Sequence, residues 1–403
     1  MRILVCAAYL PFPPKGGGRA DIWRRIEGFV ELGHSVMLLH QYDPNGSLAP
    51  REGDFAAMDQ VLTARFSYPI ERSARRTIRQ LVGQFHTPWH AAKALPDTHV
   101  AEDLRRQVRD FAPDVIWLDG PWLGEVARGI RHERPVPLLY RSHNIEHLYL
   151  RRQARASPRW RNKVAWHVIT LGLRRYELGL MRESTRVLDI SLDDLAFWSA
   201  RGVSSIEWLP PLPELALTGD PITPIPSDVL FVGGLRLPNN VAGVHWLVDD
   251  VWPRVRARLP DATVTVVGSG PDRELRTHLE SMDGVRTAFD VPTIPPYLFG
   301  ARVLVNPVHT GSGVQLKMLD MLMTRAPIVT RSQGVRGLPS DVVAQCEVHD
   351  SAEAFADAVV QRLSEPRVDL DSREAVRRHF TLASLEGALR GIDTNLEDGG
   401  DRV

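Results

Sequence analysis

The chain has 403 residues, 43% hydrophobic and 24% charged, with 49 Lys+Arg against 49 Asp+Glu; this allows two or three domains with sizeable cores, and the even balance gives no bulk signal for nucleic acid. Its two cysteines, Cys6 and Cys346, lie far apart in no metal-ligand spacing and fit a reducing compartment, and no run of about 18 apolar residues is present to span a bilayer. Met1 to Val5 opens a strand whose apolar run breaks at Pro11, so a signal peptide is not expected and a cytoplasmic location is.

Arg2 to Ala8 reads as a first strand, followed by the loop Pro11 to Arg19. A helix from Ala20 to Leu32 carries Ile22, Ile26, Phe29 and Val30 on one face, with Gly33 as C-cap and a second strand at Val36 to Leu39. This order opens a doubly wound α/β sheet. The loop is not GxGxxG, and no acidic residue sits where a dinucleotide fold needs one, which argues against NAD. Gly16 and Gly17 permit close backbone approach to a ligand; a plain tight turn is the alternative.

Ser73 to Arg79 is basic, and Arg151 to Lys163 sets six cations beside Trp160 and Trp166. Such a mixture rests on an anionic membrane surface or else forms a solvated, internally paired face. Val115 to Leu118 and Pro137 to Tyr140 read as further strands, the second leading into the loop Arg141 to His147. Loops after strand C-termini form the ligand crevice of open α/β sheets, so His143 and Glu146 are candidates for chemistry, with local hydrogen bonding by His143 the alternative. Arg186 to Ile190 is another strand, and Ser191 caps the next helix.

Proline-dense segments at 208–213 and 221–226 mark a boundary. The expected division is a first domain at 1–208, a stiff linker at 209–226 and a second domain at 227–379. A closing helix near 380–396 is expected to pack back on the first domain, before a frayed tail from Glu397 to Val403. In the second domain, a strand at Asp228 to Val232 ends in Gly233-Gly234-Leu235-Arg236. A helix runs from Val241 to Leu259, and a strand at Ala262 to Val267 is followed by Gly268-Ser269-Gly270-Pro271.

Val303 to Thr330 organises the chain: strand, loop, helix, turn, strand. Thr310, Gly311, Ser312 and Gly313 directly precede a helical pattern that opens at Val314 and in which Gln315, Lys317 and Asp320 fall between apolar positions. The unpaired amides of Gly311 to Val314 suit a phosphate, whereas Ser312 as a plain N-cap belongs to the alternative. The alternative is an ordinary capped helix with a surface ion pair between Lys317 and Asp320.

Taken together, these motifs resemble the glycosyl transferases group 1 family. Val232-Gly233-Gly234 with Pro238-Asn239 resembles its first strand and loop, and Val266 to Pro271 its glycine turn near the nucleotide. Asn306 to Asp320, Pro327-Ile328-Val329 and Gly334 to Leu338 resemble its donor-binding helix and the strand after it. The first half fits through Gly16-Gly17, Gly33 to Val36 and His143 to Glu146. The resemblance implies a GT-B fold, two Rossmann-like doubly wound domains facing across a cleft, and retaining transfer of a sugar from a nucleotide-diphospho-sugar. The family carries two glutamates with seven residues between them; here the first slot holds Ser312 and the second Asp320.

The resemblance implies roles. Gly268, Gly234, Gly311, Ser312, Gly313 and Val314 line the nucleotide sugar, Asp320 takes ribose hydroxyls, and Arg236 and Lys317 stand in for the family's diphosphate cations. His143 holds a donor hydroxyl or the sugar edge, and Gly16 and Gly17 bring backbone to phosphate or acceptor. No metal and no cofactor beyond the donor is implied, and the donor phosphate itself deprotonates the acceptor. The expected partners are a nucleotide sugar and a saccharide, lipid-linked or small-molecule acceptor in polysaccharide, glycolipid or glycoconjugate synthesis, with peripheral contact at the inner face of the cell membrane. A non-catalytic partner subunit, suggested by Ser312, and a GT-B sugar epimerase are the competing functions.

Overall fold

In the computed structural model the chain forms two compact units, residues 1–210 with 382–403, and residues 211–381. The structure describes residues 1–14, 16–46, 49–70, 87–156, 166, 170–214, 222–311, 313–365 and 370–392. Ser312, the basic stretch at 73–79, residues 157–163 of the second basic segment and the tail at 397–403 lie outside the described residues.

The first unit contains β1 (Arg2–Ala7), β2 (Ser35–Tyr42), β3 (Ala64–Pro69), β4 (Val115–Asp119), β5 (Leu138–Ser142), β6 (Arg186–Asp189) and β7 (Ile206–Trp208). They form one parallel sheet in the order β3-β2-β1-β4-β5-β6-β7. Ile3 pairs with Val36 on one side and Val115 on the other, so the winding direction reverses between β1 and β4. Loops leaving the C-terminal ends of those strands diverge there and open a crevice. The central strands are buried and apolar up to their C-terminal ends because helices cover both faces, and Phe29 meets Trp117 edge-on at 5.0 Å.

The helix after β1 spans Gly17–Glu31, three residues earlier than the apolar pattern begins, because that pattern marks only the buried face and glycines occupy the first turn. Gly33 follows the C-cap Leu32 rather than being it. At φ +80°, Gly33 donates to the Val30 carbonyl (2.9 Å) while His34 donates to that of Phe29 (3.0 Å), the paired bonds that close a helix through a left-handed residue. Arg141 and Ser142 extend β5 instead of starting the loop. Ser191 does cap the Leu192–Ser199 helix, accepting from the Asp194 amide. The helix Leu382–Leu389 packs on the Gly17–Glu31 helix, and Arg186 donates to the Ala388 carbonyl at 2.9 Å, satisfying an end carbonyl.

The second unit contains β8 (Ser227–Val232), β9 (Val264–Gly268), β10 (Val285–Phe289), β11 (Ala301–Asn306), β12 (Ile328–Thr330) and β13 (Cys346–Val348), parallel in the order β10-β9-β8-β11-β12-β13. Its reversal lies between β8 and β11, so the loops at 233–237 and 307–315 diverge over one crevice. The single helix expected from Val241 to Leu259 is three pieces: Pro238–His245, a π-helical turn Trp246–Val251, and Trp252–Arg256. Pro253 has no N–H to give Asp249 and crowds that carbonyl, so the ladder opens; Arg254 takes up the Asp250 carbonyl instead.

The helix in the organising stretch begins later than expected. It spans Leu316–Leu322 with Gln315 as N-cap. Gly313 takes φ +67°, which interrupts a right-handed helix. Gln315 is pinned outside it, accepting from Asn306 Nδ2 at 3.1 Å and donating to the Gln333 carbonyl at 3.3 Å. The amides of Gly311, Gly313 and Val314 therefore belong to a loop, not to the first turn of that helix.

Candidate functional site

In the second unit the crevice is built from the ends of β8, β9 and β11. Leu235 donates to the Ser269 carbonyl at 2.9 Å and Gly233 to that of Val267 at 3.0 Å, so the two glycine loops run side by side. A Cβ on Gly268 would sit 2.4 Å from the Gly233 carbonyl oxygen, whereas one on Gly234 would meet nothing nearer than 3.9 Å. Gly268 is thus required by packing, and Gly234 leaves its backbone open. Arg236 is exposed and lies over Gly270, where a Cβ would be 2.1 Å from its Nε.

Lys317 enters from the first turn of the Leu316–Leu322 helix. Its Nζ donates to Asn240 Oδ1 at 3.0 Å and stands 4.7 Å from the Phe231 ring centroid. Buried Asn240 also donates to the Gly234 carbonyl at 3.0 Å, which fastens the amine to the β8 loop. An ammonium has three donors and prefers an anion; here a neutral amide and an aromatic face surround it. Although the residue keeps some exposure, burial pushes its pKa down to about 7. A Cβ on Gly311 would lie 3.7 Å from Asn239 Nδ2 and 4.0 Å from Gln333 Nε2, and the Gln333 nitrogen is buried with no hydrogen-bond partner among the described residues. An amine, two amide donors and a glycine loop are the parts of an anion pocket.

Asp320 pairs differently from the surface alternative. Its Oδ1 accepts from the Glu214 amide at 2.8 Å, so it holds the entry segment of its own unit.

In the first unit, Gly16 takes φ +93° as N-cap of the Gly17–Glu31 helix, with no side-chain cap on that end. Behind it lies a charged network at the β1/β4 reversal. Arg25 bonds Asp21 at 2.8 Å and also Asp119. His143 places Nδ1 3.2 Å from Asp21 and Nε2 2.9 Å from Asp119. Burial opposes the imidazolium, but the hydrogen bonds and charges of the two carboxylates outweigh it and raise the His143 pKa. Likewise burial alone would raise the Asp21 carboxyl, yet Arg25, Arg141 and His143 hold it well below the usual range. A sugar hydroxyl reaching His143 would have to displace a carboxylate.

Glu146 begins the Glu146–Ala156 helix, where burial and the nearby Glu177 push it up to about 7, a value suited to proton transfer. Glu177 is fully buried and caps that helix from another, accepting from the Glu146 and His147 amides at 2.8 and 3.1 Å and from His147 Nδ1 at 2.7 Å.

The family model described as Glycosyl transferases group 1 matches residues 226–365. That span holds the β8 loop, the β9 turn, the 307–315 loop and Lys317. The second unit carries a group 1 glycosyl transferase domain. Over 373 residues the chain is 24% identical to an uncharacterized 44.6 kDa protein in the cps region of Klebsiella pneumoniae, covering 89% of this chain and 90% of that one. Sucrose-phosphate synthase from Thermosynechococcus elongatus is similar in structure, with TM-score 0.66 and 16% identity over 99% of this chain and 100% of that one. HepE from Anabaena, solved with UDP and glucose, gives TM-score 0.62 and 12% identity over 99% and 100%. These likenesses establish the fold as GT-B-like α/β, two parallel sheets with helices.

Within the glycosyl transferase domain, the structure brings the loop residues Gly234, Gly311, Gly313 and Val314, Gly268 at the end of β9 and Lys317 in the first turn of its helix around one crevice. Gly16, Gly17 and His143 gather at the corresponding reversal of the first unit. Asn240 and Gln333 carry no local mark in the sequence, and neither do Asp119 and Glu177. Asn240 lies 77 residues from the amine it holds, and Asp119 24 from His143, so no local spacing announces either. A buried polar residue inside an apolar pattern was the available signal: Asp21 interrupts the buried face of the first helix.

Proposed function

We propose that the chain is a glycosyltransferase that moves a sugar from a nucleotide-diphospho-sugar to an acceptor hydroxyl with retention of configuration. The observation that carries this reading is Lys317: a desolvated amine within the domain that matches the family, fixed by Asn240 beside two glycine loops and, among the described residues, hydrogen-bonded to no carboxylate. A donor diphosphate would supply the missing anion. As the glycosidic bond breaks, charge grows on that leaving group, and Lys317, the Gln333 amide and the loop amides near Gly313 would stabilise it without reorganising. Under this reading Asp320 reaches the ribose and the donor phosphate takes the acceptor proton, so no metal is needed. HepE, solved with UDP and glucose, supports a nucleotide sugar as the donor class. Calorimetric titration with UDP and with GDP tests it: one of them is expected to bind in the micromolar range, and no heat from either at millimolar concentration would end the reading.

The acceptor we favour is a saccharide or lipid-linked saccharide of the cell envelope, met at the inner membrane face; the similar protein in a cps region supports this. Arg151, Arg174, Arg175 and Arg182 line a groove with Leu171 and Leu178 in the first unit, and Leu171 is exposed. Basic and apolar side chains together suit an anionic bilayer surface. Salt-sensitive sedimentation with anionic vesicles is expected; no pelleting at low salt would remove the membrane from the proposal. Donor binding with no turnover of any donor would instead favour a non-catalytic subunit, consistent with Ser312 in the first glutamate slot.

A further inference from the structure

We propose that His245, Asp249 and His278 form a binding site for a divalent transition-metal ion, separate from the sugar-transfer machinery. Among the described residues these three offer one donor atom each, all within 4.8 Å of one another. His278 Nε2 stands 2.7 Å from Asp249 Oδ1, and His245 Nδ1 stands 3.2 Å from Asp249 Oδ2. The two rings lie 5.1 Å apart at 31°. In a tetrahedral zinc site, metal–ligand bonds of about 2.0–2.2 Å place neighbouring donor atoms roughly 3.3–3.6 Å apart. Small rotations of exposed side chains reach that spacing.

The elements carrying the ligands are already held in place. His245 ends the Pro238–His245 helix, Asp249 lies in the π-helical turn, and His278 lies in the helix Arg273–Ser281. Val248, Val251 and Trp252 share one apolar core with Leu275 and Leu279. Trp252 Nε1 donates to the Asp283 carbonyl at 3.2 Å, and Arg256 pairs with Asp283. The carboxylate and the two imidazoles therefore face each other before any ion arrives, which lowers the ordering cost of binding. π-Helical turns recur at functional sites.

The donor set selects the ion. Two imidazoles and one carboxylate suit zinc, nickel or copper, while calcium and magnesium want oxygen ligands. The side chains of His245, Asp249 and His278 are 42, 41 and 33% exposed, so an ion enters from solvent and a water completes its shell. His245 is five residues past Asn240, about 7.5 Å along a helix axis. A bound ion would clamp the helix that leads from the β8 loop to the helix that follows the β9 turn.

The test is titration of Zn²⁺ into the full chain by calorimetry, with melting curves, in a buffer that does not chelate. One ion per chain is expected, with a rise in Tm; Mg²⁺ gives neither. His245→Ala, His278→Ala and Asp249→Asn each weaken binding about tenfold or more, and the double histidine variant loses the Tm rise. Melting without zinc reports that these surface variants fold. Zinc binding that survives the double histidine variant, binding of Mg²⁺ as tight as Zn²⁺, or no zinc heat in the wild type overturns the proposal. None of these outcomes depends on whether the chain transfers sugar.

Discussion

Lys317→Met is expected to weaken nucleoside diphosphate binding by about a hundredfold, roughly 2.7 kcal/mol, while leaving nucleoside binding nearly unchanged. The amine is held by a neutral amide over an aromatic ring, and burial has brought it to about 7. Keeping such a group costs stability, and methionine of similar length removes the cost. The variant should therefore melt higher, by ~2–4 °C for each kcal/mol recovered. Loss of ligand with gain of stability is the mark of a binding residue; a structural lysine would lose both.

The same prediction carries a pH dependence whose sign follows from the lowered pKa. Below about 7 Lys317 is already charged, and binding needs no proton. Above it, the free amine is neutral and the diphosphate must draw a proton in as it binds. Wild-type affinity should then fall by up to about tenfold per unit between pH 7 and 9, with close to one proton taken up at pH 8. Titrations in buffers of different ionisation enthalpy count that proton. Equal diphosphate and nucleoside losses in Lys317→Met, or a wild-type affinity flat from pH 7 to 9, would remove the lysine from the site.

What the sequence made legible and what it hid divide along a physical line. Strands β8, β9 and β11 are apolar runs bounded by glycine or Asn-Pro, and local pattern suffices to find them. The glycine loops follow them directly, so the crevice of the second unit could be located from order alone. The Leu316–Leu322 helix starts later than its pattern predicts because apolar spacing continues back through Val314, while the backbone at Gly313 turns left-handed. Spacing records side chains and is blind to φ. The π-helical turn was hidden for a related reason: its apolar face is intact, and the missing N–H of Pro253 was the one clue. Partners across the sheet were illegible altogether. Asn240 for Lys317, the two carboxylates at His143, and Glu177 for His147 depend on strand order, which one sequence without its fold does not state.

Two glycines that read alike in the sequence are expected to behave differently when substituted. Gly268→Ala would put a methyl 2.4 Å from the Gly233 carbonyl oxygen and 2.7 Å from the Leu235 side chain. The first obstacle is backbone, held by the Gly233–Val267 and Leu235–Ser269 hydrogen bonds, so it cannot swing aside as a side-chain tip would. The two loops must part, at a cost of about 2–4 kcal/mol in stability, and nucleoside diphosphate binding should fall with it. Gly234→Ala meets only the Leu237 and Ser269 side chains, both at 3.9 Å, and should melt within about 0.5 kcal/mol of the wild type. If a ligand lies against that backbone, Gly234→Ala still weakens binding tenfold or more, because the methyl occupies the approach rather than the protein. Chemical denaturation with a ligand titration on both variants reads the four outcomes. An unstable Gly234→Ala would mean that the β8 loop is closed by its own packing. A stable Gly234→Ala that binds as the wild type does would place the nucleotide elsewhere in the crevice.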